Sequence, residues 1–497
     1  MPKDAWKSVE EHELQSLGDL FATNPDRLGR LSHEVAGIYF DWSKTHLDEG
    51  LMKAFGSLAG QQGFAAARDS LFAGAIVNLT EQRSADHLAE RGSGSAEAVH
   101  LASSRRARMR ALVDAIEAGA FGDVTGILHI GIGGSALGPR LLVDALGGEA
   151  ATLRVRFLSN IDPHAFADAV EPLDPATTLI VTVSKTFTTA ETLANLAAAV
   201  DWLRLGDVAD PYGRVMAVTA APEAAVEAGI DESRVLQFSE GVGGRYSLWS
   251  TVSVSAALAL GWTAFEELLE GAAEMDRHFR YSDPEANVPL VASFADLLYA
   301  QKLGCQSRAV FPYDERLRTL IPYLQQLEME SNGKSVTARG EAVGRATASV
   351  LWGGIGTDAQ HAVFQLLHQG TAVVPVEFVA VAEDESALPE HHRQLLLNAF
   401  AQGAALMSGS ESDDPHRRTP GNRPSSTILL DRLDARSLGA LIAFYEHRTF
   451  ANAVLLGINP FDQFGVEAGK AIARALAEEE ETAADPSTRA LMERAGI

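Results

Sequence analysis

From residue 125 onward the sequence repeats one phrase: a short run rich in β-branched residues, a turn of glycines or hydroxyls, then an alanine-rich helical stretch. The runs are "GILHI", "LRVRFLS", "TLIVTV" and "RVMAVTA". Parallel strands cannot be joined by a tight turn and need crossovers, so strands alternating with helices predict an α/β fold with a doubly wound parallel sheet. After a helical pattern from about 250 to 305 the phrase returns. Here "ATASVLWGG", "TAVVPVEFVAVA" and "STILLDRL" read as strands, with "DAQHAVFQLLHQ", "HHRQLLLNAFAQGAALM" and "LGALIAFYEHRTFANAVLL" as helices. Two α/β domains of related design are therefore expected.

At 497 residues the chain exceeds the usual size of one core, which fits two or three domains. The first 115 residues show apolar spacings of three and four, as in "LGDLFATNPDRLGRLSHEVAGIYF", and few β-branched runs. That pattern predicts an all-helical lead-in. The expected division is a helical N-terminal extension over 1–115 packing on the large domain, a first and smaller α/β domain over 116–265, and a second, larger one over 266–497 with the C-terminal helices. The Pro-, Gly- and Ser-rich stretch at 408–426 reads as one long exposed loop.

Charge narrows the partners. Lys plus Arg is 41 against 66 for Asp plus Glu, a net charge of −25. Such a surface repels phosphate backbones and anionic lipid, so no nucleic acid or membrane partner is expected, and an anionic substrate needs a local positive site. Part of the acidity is local, since "EEEE" at 478–481 reads as a solvated helix end. Cys305 is the only cysteine, which excludes an internal disulfide and a thiolate metal cluster and fits a reducing compartment. The N-terminus has no basic region followed by an apolar one, and no segment approaches the roughly 18 apolar residues of a spanning helix. A cytoplasmic location is expected.

In "TLIVTVSKTFTTAETLANLAAAVDWL" the strand ends near Val183 and the helix begins near Thr188. Ser184, Lys185 and Thr186 thus stand at a strand's carboxyl end, where open parallel sheets bind ligands. Thr188 and Glu191 fit a capping box that needs no ligand. Capping leaves Ser184, Thr186 and Thr189 unexplained, and their convergence on a helix N-terminus points to a phosphate. The companion turn, "ILHIGIGGSALGPRLL", places Gly131, Gly133 and Gly134 after a strand and Ser135 at a helix start. Gly131, Gly133 and Ala136 also satisfy the loose dinucleotide fingerprint, so a dehydrogenase competes. The acidic residue that should end the next strand is missing, because "RVRFLSNID" reaches Asp162 only after Ser159 and Asn160. No HExxH, EF-hand loop or Cys/His cluster suggests a metal.

Two further stretches, "EGVGGRYSLWSTVSVSA" at 240–256 and "NPFDQFGVEAGK" at 459–470, closely resemble the signatures of the glucose-6-phosphate isomerase (phosphoglucose isomerase) family. "GIGGSALGP", "SKTFTTAET", "LQQLEMESNGK" and "GTDAQHAVFQLLHQGT" follow in family order, and "GIYFDWSK" and "IVNLTEQR" extend the likeness over about residues 35 to 475. The resemblance implies two sugar-isomerase (SIS-like) domains, each a three-layer α/β/α sandwich, with helical N- and C-terminal extensions, assembled as a homodimer. It implies interconversion of glucose 6-phosphate and fructose 6-phosphate through an enediolate, in glycolysis and gluconeogenesis, without a cofactor.

Residue by residue, the resemblance implies that Ser184, Thr186, Thr189 and the backbone around Lys185 take the phosphate, and that Gly134 and Ser135 line the sugar. Gln326 and Gln463 contact the substrate. A carboxylate within reach of C1 and C2 can move a proton between them, a role that falls to Glu330 in "MESNGK". His361 in "TDAQHAVF" would open the ring in the neighbouring subunit's site, near a predicted helix start whose dipole favours neutral imidazole. Lys470 would assist at the ring oxygen, and the fixed charge of Arg245 in "GGRYS" would stabilise the enediolate. The chain departs from the family pattern at Ala190, Thr251, Ile355 and Ala359, none of them a proposed catalytic group. Tolerance for mannose 6-phosphate, a non-catalytic sugar-phosphate sensor and a dehydrogenase are the alternatives.

Overall fold

The computed structural model describes residues 3–148, 152–384, 387–478 and 484–497, so of the acidic run at 478–481 only Glu478 lies among the described residues. The described chain forms two compact units, Met1–Pro460 and Phe461–Ile497. The first unit holds both sheets.

Strands β1 (Ser32–Val35) and β2 (Ile38–Asp41) precede β3 (Gly126–Ile130), β4 (Arg154–Leu158), β5 (Thr178–Val183), β6 (Val215–Thr219) and β7 (Val235–Gln237). Then follow β8 (Ser307–Tyr313), β9 (Val350–Gly353), β10 (Val376–Val381) and β11 (Ser425–Leu430). The five-stranded sheet runs β4-β3-β5-β6-β7 with every pair parallel. From β3 the chain steps one way to β4 and then returns past β3 to β5, so the winding reverses between β3 and β5. That reversal opens a crevice at the carboxyl ends of those two strands.

The six-stranded sheet, β1-β2-β11-β10-β8-β9, repeats the winding with β8 and β10 at its reversal. Its central strands β8 and β10 are buried on both faces, as their continuous apolar runs require. On one face Phe311 and Phe378 pack with Phe364 and Leu367 of helix Gly356–Gln369 and Ala399 and Leu406 of helix Pro389–Ser408. On the other, Glu377 takes hydrogen bonds from Tyr445 and Arg448 of helix Ala435–Leu456. The four strands that composition marked in the first sheet and the three marked in the second are all present.

The lead-in is not all helical. The β1–β2 hairpin lies inside it and adds β2 antiparallel to β11 of the second sheet. Its two-residue turn, Ala36–Gly37, has φ of 55° and 71°, the mirror-image geometry that fits strand twist. Sequences usually mark such a turn with Asn-Gly or Asp-Gly, and alanine in the left-handed region leaves no such mark. Strand β8 carries Pro312 opposite Val379, a residue type that argues against a central strand. The lead-in is also fixed by Arg91, whose buried guanidinium binds Asp276 at 2.7 and 2.8 Å and Glu446 at 2.5 Å. Burial pushes the Glu446 carboxyl up to about 7 against the pull of Arg91. Burial also pushes Asp276 up, but the charges and hydrogen bonds of Arg91 and His447 together outweigh it and leave that group below the usual carboxylate range.

The second unit contains helices Glu467–Ala477 and Pro486–Ala495. No helix among the described residues is long and apolar enough to cross a membrane.

Candidate active site

The two turns singled out by sequence flank the crevice of the first sheet. Ile130 pairs with Thr182 in register, so Gly131 leaves its strand opposite Val183, one residue before Ser184. The capping box does not form. Helix Ala190–Leu205 starts two residues later than the expected Thr188, with Thr189 as its N-cap making no side-chain capping bond. Ser184 Oγ instead lies 3.0 Å from Thr189 Oγ1, and Thr186 Oγ1 2.7 Å from Thr188 Oγ1. A buried Phe187, held at φ 53°, turns the loop over between these two hydroxyl pairs, with Ser184 buried and Thr186 and Thr188 exposed. Such strain persists only where packing enforces it, and here the ring sits in the core of the sheet.

The glycines of the companion turn serve the protein's own structure. A Cβ on Gly134 would stand 2.1 Å from the carbonyl carbon of Gly244, and one on Gly133 2.9 Å from Gln326 Nε2. Close approach to the Gly244–Arg245 backbone explains the glycine at 134, and the φ of 58° the one at 133. Beneath the turn, His129 is fully buried, and burial pushes it down to about 4. Its Nε2 donates to the Ser135 carbonyl at 2.7 Å, which leaves Nδ1 to accept from Ser255 Oγ at 2.8 Å. The first turn of helix Gly134–Leu146 is thereby fixed from below.

Lys185 does not extend into solvent. Its Nζ donates to the carbonyls of Glu240 at 2.7 Å and Val242 at 3.1 Å, and burial, helped by Arg83, pushes the ammonium down to about 8. The hydroxyl loop is thus tied to the segment that leads into Gly243, Gly244 and Arg245. Arg245 is buried, and its guanidinium lies 5.4 Å from the Tyr246 ring centroid. Nε donates to Ser331 Oγ at 2.6 Å, Nη2 donates to the Pro460 carbonyl at 2.5 Å, and Nη1 stands 3.5 Å from Glu330 Oε2.

Glu330 ends a π-helical turn, Gln325–Glu330, a distortion frequent at functional sites. Residues two apart on a helical turn point to different sides, and the two glutamates separate accordingly. Both oxygens of Glu328 are held by Arg308 Nη2 at 2.5 and 2.6 Å, whereas Glu330 faces Arg245 with its side chain 21% exposed. Gln326 on the same turn has a buried Oε1 without a hydrogen-bond partner beside Gly133.

The structure therefore brings together Gly134, Arg245, Gln326 and Glu330, and places the loop of Ser184, Lys185, Thr186 and Thr189 on the neighbouring strand. His361 stands apart. It is exposed in the second turn of helix Gly356–Gln369, past the first turn where the dipole acts, so that argument for its neutral form does not hold. Gln463 and Lys470 belong to the second unit, with Lys470 exposed on helix Glu467–Ala477. Sequence reading missed Ser331, which bonds Arg245; its only signal was its place next to Glu330. The corresponding crevice of the second sheet opens into a cavity of about 1230 Å³, where several of the lining charges are already engaged within the protein. Asp314 binds Arg316, Glu383 binds Arg432, and Asp434 caps helix Ala435–Leu456.

Comparison with known proteins extends the likeness along the chain. The family model described as phosphoglucose isomerase matches residues 41–492. A glucose-6-phosphate isomerase of Rhizorhabdus wittichii is 61% identical over 99% of both chains, and one of Zymomonas mobilis is 54% identical over 98% of this chain and 97% of its own. The crystal structure of a glucose-6-phosphate isomerase from Chlamydia trachomatis superposes with a TM-score of 0.91 at 30% identity, covering 99% of this chain and 98% of that one. A likeness that runs through both sheets and both termini leaves one assignment: the chain belongs to the phosphoglucose isomerase family.

Proposed function

We propose that the protein interconverts D-glucose 6-phosphate and D-fructose 6-phosphate through an enediolate. The observation that carries this reading is the pairing of a partly exposed carboxylate, Glu330, with a buried, fixed guanidinium, Arg245, 3.5 Å away. The phosphate is held by Ser184, Thr186, Thr189 and the amides around Lys185, with the sugar along Gly134 and Ser135 and the Gln326 oxygen free to accept a sugar hydroxyl. Glu330 removes the proton on C2 of the open-chain aldose, and the electron pair moves to the carbonyl oxygen on C1. The same carboxyl returns the proton to C1 while the oxygen on C2 becomes the carbonyl and its proton passes to the oxygen on C1. Arg245 neutralises the charge that builds on these oxygens. No cofactor has a part in these steps.

Ring opening falls to His361 and Lys470, and the roles of Lys470 and Gln463 rest on the family motif that contains them. The reading includes a homodimer in which His361 serves the partner's site. Its exposure, with no ring hydrogen bond among the described residues, supports that role. The buried free thiol of Cys305 supports a reducing cytoplasm as the compartment. Each α/β sheet with its helices is one domain in this reading, divided near residue 265.

The test is conversion of fructose 6-phosphate in EDTA, followed by mixing inactive subunits. Glu330→Gln and His361→Ala proteins, each nearly inactive, should recover activity when refolded together, because one of the two sites in the mixed dimer then has both residues intact. Binding of the sugar phosphate without turnover by the wild type would make the protein a sensor. Failure of the mixture to regain activity would place His361 in its own subunit's site or outside the chemistry.

A further inference from the structure

An arginine beside a catalytic carboxylate poses a problem. A guanidinium and a carboxylate left to themselves close into a bidentate pair at about 2.8 Å, in which the base is neutralised and the cation is no longer available to substrate. Here the closest approach is 3.5 Å, from Nη1 to Oε2.

The geometry points to Ser331 as the positioning residue that prevents this collapse, an inference that rests on the isomerase reading above. The side-on edge of the Arg245 guanidinium, formed by Nε and Nη2, is the edge best suited to a carboxylate fork. It is already occupied, by Ser331 Oγ at 2.6 Å and the Pro460 carbonyl at 2.5 Å. Ser331 is fully buried, and its hydroxyl is itself held by the Tyr246 hydroxyl at 3.0 Å. Tyr323 adds a hydrogen bond to the Arg245 carbonyl at 3.3 Å, fixing the backbone from the other side. The plane of the guanidinium is thus set by groups that are not substrate.

The charged groups around Glu330 agree with this. Lys334 donates to the Glu330 backbone carbonyl at 2.8 Å, Glu328 is turned away to Arg308, and Arg245 faces the Glu330 carboxylate. Ser331 follows Glu330 directly in the chain. One hydroxyl therefore sets the position of the cation relative to the base, and keeps each turned to the substrate.

Removing the hydroxyl by Ser331→Ala frees Nε, and the guanidinium can swing its edge onto Glu330. A crystal structure of that variant should show the pair closed to about 2.8 Å. Its kcat should fall about 10- to 100-fold with KM little changed, because the ground-state anchor is the phosphate loop. Tyr246→Phe, which removes only the hydroxyl that holds Ser331, should shift both readouts in the same direction and less far, and serves if Ser331→Ala does not fold. A pair that stays near 3.5 Å in the variants, or a kcat equal to that of the wild type, overturns the inference. Lack of conversion by the wild type would instead sink the isomerase reading, and the crystallographic distance would still decide this one.

Discussion

Glu330→Gln is expected to lower kcat about 10³- to 10⁴-fold while leaving the fold and the affinity for sugar phosphate nearly intact. Glutamine matches glutamate in shape and keeps an oxygen for Arg245, so the neighbouring geometry survives. Its amide cannot accept a proton at neutral pH, and that is the one property the chemistry uses. The same change at Glu328 should act differently, because both of its oxygens are bound by the buried Arg308 in a structural network. Glu328→Gln should therefore cost stability, read as a lower thermal midpoint, and spare kcat in the molecules that remain folded. If the two variants exchanged these phenotypes, the assignment of the base would be wrong.

Arg245→Lys is expected to lower kcat about 10²- to 10³-fold, the usual cost of losing a preorganised charge at a developing oxyanion. Lysine keeps the charge but not the planar fork, so it cannot hold Ser331 Oγ and the Pro460 carbonyl at once. Its ammonium would be drawn to Glu330 and lost to the enediolate. Steady-state kinetics would check this, with kcat falling and KM moving little. A variant with normal kcat and raised KM would make Arg245 a ground-state binding residue only.

Much of this architecture was legible in the sequence because the central strands β3, β5, β6 and β10 are buried on both faces. Runs such as "TLIVTV" then need no polar alternation, and hydroxyl or glycine turns mark their ends. The hairpin at Ser32–Asp41 was not legible because Ala36 takes the left-handed conformation without the asparagine or aspartate that signals it. Strand β8 was obscured by Pro312. Within the site, the hydroxyl loop could be read from composition, since a capping box explains too few of its residues. Glu330 could not, because nothing local separates it from Glu328 until the π-helical turn sends one to Arg308 and the other to Arg245. Ser331 was silent for the same reason, as its role exists only through partners 85 and 86 residues away in the chain.

The central claim is that a carboxylate carries a proton between C1 and C2, and the most direct test is to run the wild-type conversion in D₂O. A carboxyl that holds the proton exchanges it with solvent during its lifetime, so the account requires deuterium on C1 of fructose 6-phosphate formed from glucose 6-phosphate. Product formed at full rate with no deuterium on C1, as direct hydride transfer between the carbons would give, would contradict a solvent-exchanging role for Glu330.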